Sequence, residues 1–295
     1  MDGGRVTLMA AALAAAGTLR IDAQSVPGES EKGALVICIT QWNGGCGTTD
    51  DNRTSWDNMV DGWYDDITDD ASTPWGHSAK AWWRDGFRQN GTIVDSDFTD
   101  ASIVSWGDDS DDDNVDEPDA CMVALHGGES SDNLRWYGLV RVDESGDGNC
   151  YAWQGHMALG DSDLEFLHLS SCNSMNEDVW WGEWQESFDG LHQINGFHGI
   201  MWINSTYRGR YEDFSDDAFD ISIADSWVDN LYKYRVAGEN MCPVSRGVGY
   251  SENSLWTRMD HEEYDWVYSD PDGAGWMGVV YIKGCNPKGE PALPN

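Results

Sequence analysis

Short apolar runs rich in β-branched residues recur along this chain, separated by stretches in which apolar positions follow helical spacing. Residues 34–40 (ALVICIT), 101–106 (ASIVSW), 120–126 (ACMVALH), 164–170 (LEFLHLS), 198–203 (HGIMWI) and 276–282 (WMGVVYI) read as strands. The first and third are nearly continuous, as strands buried on both faces are. Pro74–Arg88 reads as a helix, with proline at its start and Asn90-Gly91 as a stop. Asn176–Leu191 carries Trp, Phe and Leu at helical intervals. Asp216–Val236 opens on acids, closes on Lys233 and Arg235 to suit the helix dipole, and stops near Gly238. Strand alternating with helix predicts an α/β fold, a three-layer sandwich with a mostly parallel central sheet.

The ends of the chain differ from this framework. Residues 1–23 read as a signal peptide: Arg5, the apolar run Val6–Leu19, then Ile21-Asp22-Ala23 as a small-residue cleavage site. The run is shorter than the roughly 20 residues a spanning helix needs. An amphipathic N-terminal helix or a lipid-facing anchor is the alternative reading. Residues 24–33 are then a linker, 34–285 a single domain, and the Pro-rich residues 286–295 a loose tail. No other stretch is apolar enough to cross a bilayer, which places the mature protein outside the cell or on its surface.

Charge narrows the partners. The 295 residues hold 53 acidic and 17 basic side chains, for a formal charge of -36. Phosphate backbones are bound by Lys and Arg through counterion release, and no basic stripe is present, so nucleic acid is excluded as a partner. Anionic lipid is disfavoured for the same reason. The excess is 38 Asp and 15 Glu against 5 Lys and 12 Arg, a composition suited to high salt, where self-repulsion is screened. Residues 107–119 (GDDSDDDNVDEPD) concentrate this charge and read as a solvated loop. A wholly disordered chain is excluded by 40% hydrophobic residues and 17 Trp.

Seven cysteines in an oxidising compartment allow up to three disulfides and leave one thiol. No CxxC pair or His/Cys cluster at zinc spacing occurs. Asp143, Ser145 and Asp147 follow the order of the start of a calcium loop, but position twelve is Gln154 where a bidentate Glu is needed. The segment is either a structural calcium loop or an ordinary Asp-Gly turn. No cofactor is required by the rest of the chain.

The sharpest chemistry lies at two strand ends. His126-Gly127-Gly128 follows one hydrophobic strand directly, and Ser171-Cys172-Asn173 follows another. In an open parallel sheet the carboxyl ends of strands form the ligand crevice, so these residues meet on one edge. A thiolate is the nucleophile, and a neighbouring imidazole can take the thiol proton and later deliver it to the leaving amine. Glycine after the histidine lets a backbone N–H approach a developing oxyanion.

At these residues the chain resembles the caspase, legumain and gingipain group of cysteine peptidases. In that group one strand ends in His-Gly and a second ends in a small residue followed by Cys. The 46 residues between His126 and Cys172 are close to the roughly 50 of caspases. More broadly, Trp75, Phe98-Thr99-Asp100-Ala101, His126-Gly127, Cys172 and Gly190-Leu191-His192 resemble an uncharacterised family of secreted prokaryotic proteins with this signature, over roughly residues 34–285. The resemblance implies a caspase-like fold, Cys172 as nucleophile, His126 as base, and the Gly127 amide in the oxyanion hole. Its partner is a peptide or protein substrate, with Gly128, Ser171, Asn173, Trp180 and Trp181 lining the cleft. The caspase pentapeptide around the cysteine is absent from Ser170-Ser171-Cys172-Asn173-Ser174. The alternative is a non-catalytic cell-surface binding protein that uses the Trp clusters at Trp82-Trp83 and Trp180-Trp181-Gly182-Glu183-Trp184. An enzyme needs Cys172 free and facing solvent, whereas a binding module tolerates it in a disulfide.

Overall fold

The structure, a computed structural model, describes residues 3–9, 32–69, 82–91, 93–107, 114–130, 136–144, 146, 148, 150–176, 182–271 and 273–295. In chain order the elements are β1 (Gly3–Met9), β2 (Lys32–Cys38), α1 (Trp56–Ile67), β3 (Trp82–Gln89), β4 (Ala120–Ala124), β5 (Gly127–Glu129), β6 (Trp136–Leu139), β7 (Tyr151–Trp153), β8 (Phe166–Ser170), α2 (Gly182–Glu186), β9 (Gln193–His198), α3 (Arg208–Asp217), α4 (Ile223–Leu231), β10 (Cys242–Gly249), α5 (Glu252–His261) and β11 (Trp276–Ile282).

Eight strands form one mixed sheet in the order β1-β11-β10-β9-β8-β4-β2-β3. The run from β3 to β9 is parallel; β10, β11 and β1 continue it antiparallel. β2, β4 and β8 form its centre because every residue of β4 and β8, and all but the first of β2, is buried. Such strands need cover on both faces. On one face α1, α3, α4 and α5 pack side by side against β2, β4, β10 and β11. α1 belongs there because its apolar positions Trp56, Met59, Val60, Trp63, Tyr64 and Ile67 recur at helical intervals and are all buried. Each such side chain contributes about 1.5–3 kcal/mol. On the other face Cys121, cross-strand from Leu167, lies near Asp116 and Arg88. Irregular segments and the small antiparallel sheet β5-β6-β7 lie beyond the framework strands.

Several expected elements differ. The Pro74–Arg88 helix is replaced at its C-terminal end by strand β3, which pairs in parallel with β2; residues 70–81 lie outside the described set. The 101–106 strand is a series of turns, because Asp100 holds the chain back on itself through the amides of Ser102, Ile103 and Val104. Of the helix at 176–191 only the five-residue α2 is present among described residues. The single helix at 216–236 is two: α3 ends at Asp217, and Ser222 caps a new start by accepting from the Asp225 amide. The strand at 198–203 instead ends at His198, where Gly199 turns at φ 73°.

The acidic segment is not wholly solvated. Val115, Asp116 and Asp119 are buried, and Asp119 accepts from the Gly33 amide at 2.5 Å. Nor is the tail loose. Leu293 is buried and bonds Cys285, while Pro291 accepts from His198 Nε2 at 2.8 Å. Gly3–Met9, read as the start of an export segment, forms β1 along the edge of β11, with Arg5 paired to Asp260; residues 10–31 lie outside the described set. Two disulfides form rather than three, Cys46–Cys150 and Cys242–Cys285, which leaves Cys38, Cys121 and Cys172 free. Disulfides fit an oxidising compartment. No helix among the described residues is long and apolar enough to cross a membrane.

Candidate functional site

Register brings the two strand ends level. Ala124 pairs with Ser170 as the last residues of β4 and β8, and two residues further each chain reaches His126 and Cys172. The ends are in contact. A Cβ placed on Gly127 would overlap the carbonyl oxygen of Cys172 and Oγ of Ser171 and come to 2.5 Å of Trp136 Nε1, so only glycine fits. Trp136 in turn donates from Nε1 to the Cys172 carbonyl at 3.2 Å.

Gly127 also begins β5. The Leu139 amide donates to the His126 carbonyl at 2.8 Å, so the next pair, Gly127 with Gly138, is of the non-hydrogen-bonded kind. The Gly127 N–H therefore points away from β6. Gly128 faces Tyr137, whose hydroxyl would lie 2.5 Å from an added Cβ.

His126 is held by its distal nitrogen. Nε2 lies 2.7 Å from the Asp51 carbonyl oxygen, which can only accept, so Nε2 carries the proton and Nδ1 is left with its lone pair. Nδ1 has no hydrogen-bond partner among the described residues. The ring sits 4.5 Å from that of Trp42 and edge-on to Trp56 at 5.6 Å. Burial pushes the His126 pKa below the ordinary histidine value, which keeps the imidazole neutral and basic at Nδ1.

Cys172 is the one free cysteine that is not fully buried; Cys38 and Cys121 are inaccessible, and burial pushes both far up. The Cys172 thiol points at the Met201 carbonyl, 3.6 Å away, and is not hydrogen-bonded to His126. Burial raises its pKa, and the charge of Arg53 opposes this. Arg53 acts on both groups, since it also disfavours protonated His126. Its amide is pinned to the Thr40 carbonyl at 2.9 Å, and its guanidinium donates to the carbonyls of Asp50 and Asn52. The segment that carries Asp51 and Arg53 is anchored upstream by the Cys46–Cys150 disulfide.

The turn after Cys172 is set by Asn173 at φ 57°, whose amide donates to the Gly199 carbonyl at 2.9 Å. Ser171 is buried, and its Oγ has no partner among the described residues. Asn176 ties the site together, donating to Glu129 on β5 and accepting from the Gly199 amide.

Of the remaining residues, some lie outside the described set. Trp180 and Trp181 lie outside the described residues, and Trp184 is buried against Trp136. Of the other Trp cluster, Trp82 is buried and Trp83 is 49% exposed. The Asp143 carboxylate accepts from the amides of Gly146 and Gly148, at 3.0 and 2.9 Å, as an aspartate does in a tight turn. Ser145 and Asp147 lie outside the described residues, and no group of three metal-ligating side chains occurs among those described. His168 is a core residue between Asn195 and Tyr264, its pKa pushed down by burial to about 3. His192 is buried in an ion pair with Glu262.

Asp51, Trp42, Trp56, Arg53 and Met201 were not expected at the site. Trp56 was open to detection through the apolar spacing of α1. The Asp51 and Met201 carbonyls carry no side-chain signal at all.

Residues 40–281 match the model of a protein family described as a domain of unknown function (DUF6345). No curated protein matches the chain.

Proposed function

The chain belongs to the DUF6345 family, and we propose that it is a secreted, salt-adapted cysteine peptidase of caspase-like type. Cys172 is its nucleophile and His126 its base. The carrying observation is the contact of Gly127 with Cys172 at two level strand ends, beside an imidazole held by Nε2 so that Nδ1 is its free basic atom. That Cys172 is unpaired, and is the one free cysteine not fully buried, supports the same reading, since a disulfide there would favour a binding role.

Rotation about the Cys172 side chain releases the thiol from the Met201 carbonyl. The thiol proton passes to Nδ1 of His126 as sulfur bonds to the substrate carbonyl carbon and the carbonyl π pair moves onto oxygen. The Gly127 N–H, turned away from β6, and the Cys172 N–H donate to that oxyanion. Collapse breaks the C–N bond, and the Nδ1 proton leaves on the amine. Water then gives a proton to Nδ1 while its oxygen bonds to the thioester carbon. The C–S bond breaks, and the proton returns to sulfur.

Iodoacetamide labelling of the folded protein at high salt, with the adducts mapped by mass spectrometry, tests the assignment. Cys172 is the expected site, and Cys172→Ala abolishes peptide hydrolysis. An intact fold in which Cys172 resists alkylation, or a Cys172→Ala variant with full peptidase activity, overturns it.

A further inference from the structure

The chain carries three Asn-X-Thr triplets, Asn52-Arg53-Thr54, Asn90-Gly91-Thr92 and Asn204-Ser205-Thr206, the pattern that accepts a saccharide on an asparagine amide. Their surroundings differ. Asn52 accepts the Trp42 amide on Oδ1 at 2.7 Å and donates from Nδ2 to Asn43 Oδ1 at 2.8 Å. Asn90, at φ 57°, accepts the Thr40 and Gln41 amides on Oδ1, both at 2.8 Å, and donates from Nδ2 to Thr40 Oγ1 at 3.0 Å. Both side chains are half-buried, and both amide nitrogens are engaged in fastening the loop that follows β2.

Asn204 stands in the open. It, Ser205 and Thr206 are all exposed, at the head of a single tight helical turn that leads into α3. Its Oδ1 accepts from the Thr206 amide and from Thr206 Oγ1, each at 2.9 Å, while Nδ2 has no partner among the described residues. The backbone beneath is held, since the Asn204 amide meets Met59 Sδ at 3.2 Å and its carbonyl accepts from the Tyr207 amide at 2.8 Å. Replacing one proton of Nδ2 therefore breaks no bond of the fold, because every hydrogen bond of this side chain uses the oxygen.

We propose that Asn204 is an N-glycosylation site, and that Asn52 and Asn90, which carry the same triplet, stay bare. The donor is a lipid-phosphate-linked saccharide, used by a membrane transferase on the outer side of the cell membrane. Nδ2 bonds to the anomeric carbon of the sugar, and the bond from that carbon to the phosphate oxygen breaks with its electron pair on the phosphate. One Nδ2 proton passes to a base of the transferase. As that proton leaves, negative charge gathers on Oδ1, where the Thr206 amide and hydroxyl already donate. The site rests on the protein being exported, as the reading above has it, and not on Cys172.

The experiment purifies the full-length protein from the cells and, separately, from the surface and medium of its own host. Intact mass and fragment spectra that keep sugars attached to their peptides then locate any glycan. The exported protein is expected to be heavier by one or more saccharide units on Asn204, with Asn52 and Asn90 unmodified. Thr206→Val keeps the amide that donates to Oδ1 but lacks the hydroxyl, and loses the glycan; Thr206→Ser keeps both donors and retains it. Exported protein with a bare Asn204, a glycan on Asn52 or Asn90 in its place, or a Thr206→Val variant modified like the parent overturns the site. A chain found only inside the cell and bare overturns export and the site together. Cys172→Ala protein, expected to carry the same glycan, keeps the result separate from the peptidase assignment, which iodoacetamide labelling reads by itself.

Discussion

Replacing Gly127 by alanine adds a single methyl group, and the structure says where it goes. It overlaps the Cys172 carbonyl and Ser171 Oγ and reaches 2.5 Å from Trp136 Nε1, where ordinary contact is about 3.5–4.0 Å. The Cys172 carbonyl is backbone, so relief requires the ends of β4 and β8 to part by about 1 Å. Overpacking costs about 1–3 kcal/mol, and a rigid neighbour argues for the upper half of that range. For a domain of this size the melting temperature falls about 2–4 °C per kcal/mol, so a drop of about 4–12 °C is expected. Gly128→Ala is the control. Its Cβ meets the far end of the Tyr137 ring, Oη at 2.5 Å and Cζ at 2.6 Å, which a half-exposed side chain relieves by swinging away. Its cost is therefore under about 1 kcal/mol. Thermal melts by circular dichroism and the iodoacetamide rate at Cys172 are the two readouts. Gly127→Ala should lower the melting temperature and change the Cys172 rate, while Gly128→Ala leaves the rate alone. A Gly127→Ala protein that melts with the parent and labels at the parental rate would refute the contact between the strand ends, and the site with it.

Burial holds the Cys172 thiol above the ordinary cysteine range while Arg53 opposes it. Arg53→Gln should therefore move the inflection of the alkylation rate against pH further upward, and an unchanged profile would mean that the guanidinium does not act on the sulfur. Asp116 is pushed up to about 8 by burial, against the amides of Gly160 and Ser162 that favour its charge, with Asp161 adding to the rise. Below that value the folded chain keeps a proton that an unfolded aspartate loses near pH 4, so stability falls as pH rises from about 4 to about 8. Denaturant midpoints across that interval should decline in the wild type and decline less in Asp116→Asn; parallel declines would show that other groups carry the effect.

The parts legible in the sequence are those where one physical constraint acts alone. β2, β4, β8 and β11 were evident as apolar runs because strands buried on both faces leave no polar alternation. His126, Gly127 and Cys172 were evident because residue type and position at a strand end coincide. Failures lie where tertiary context competes with local pattern. Trp82–Gln89 has helix-compatible spacing but is drawn into the sheet by the open edge of β2. Asp216–Val236 has acids at one end and bases at the other, yet the Ser222 cap breaks it between two helices. α1 was missed although its apolar spacing is regular, because acidic residues between those positions resemble the surrounding polar chain.

The sequence by itself determined the charge of this protein, the strands of its core, and the residue types that could do chemistry at their ends. Each is a property of single residues or near neighbours. Only the tertiary structure decided which nitrogen of His126 is free, since Asp51 grips the ring from 75 residues away through a carbonyl common to every residue type. It also decided which cysteines pair, and that Arg235 and Lys288 meet on the ring of Trp202. Such contacts join backbone groups and long side chains across distant segments, where the energy of meeting depends on geometry that no local pattern encodes.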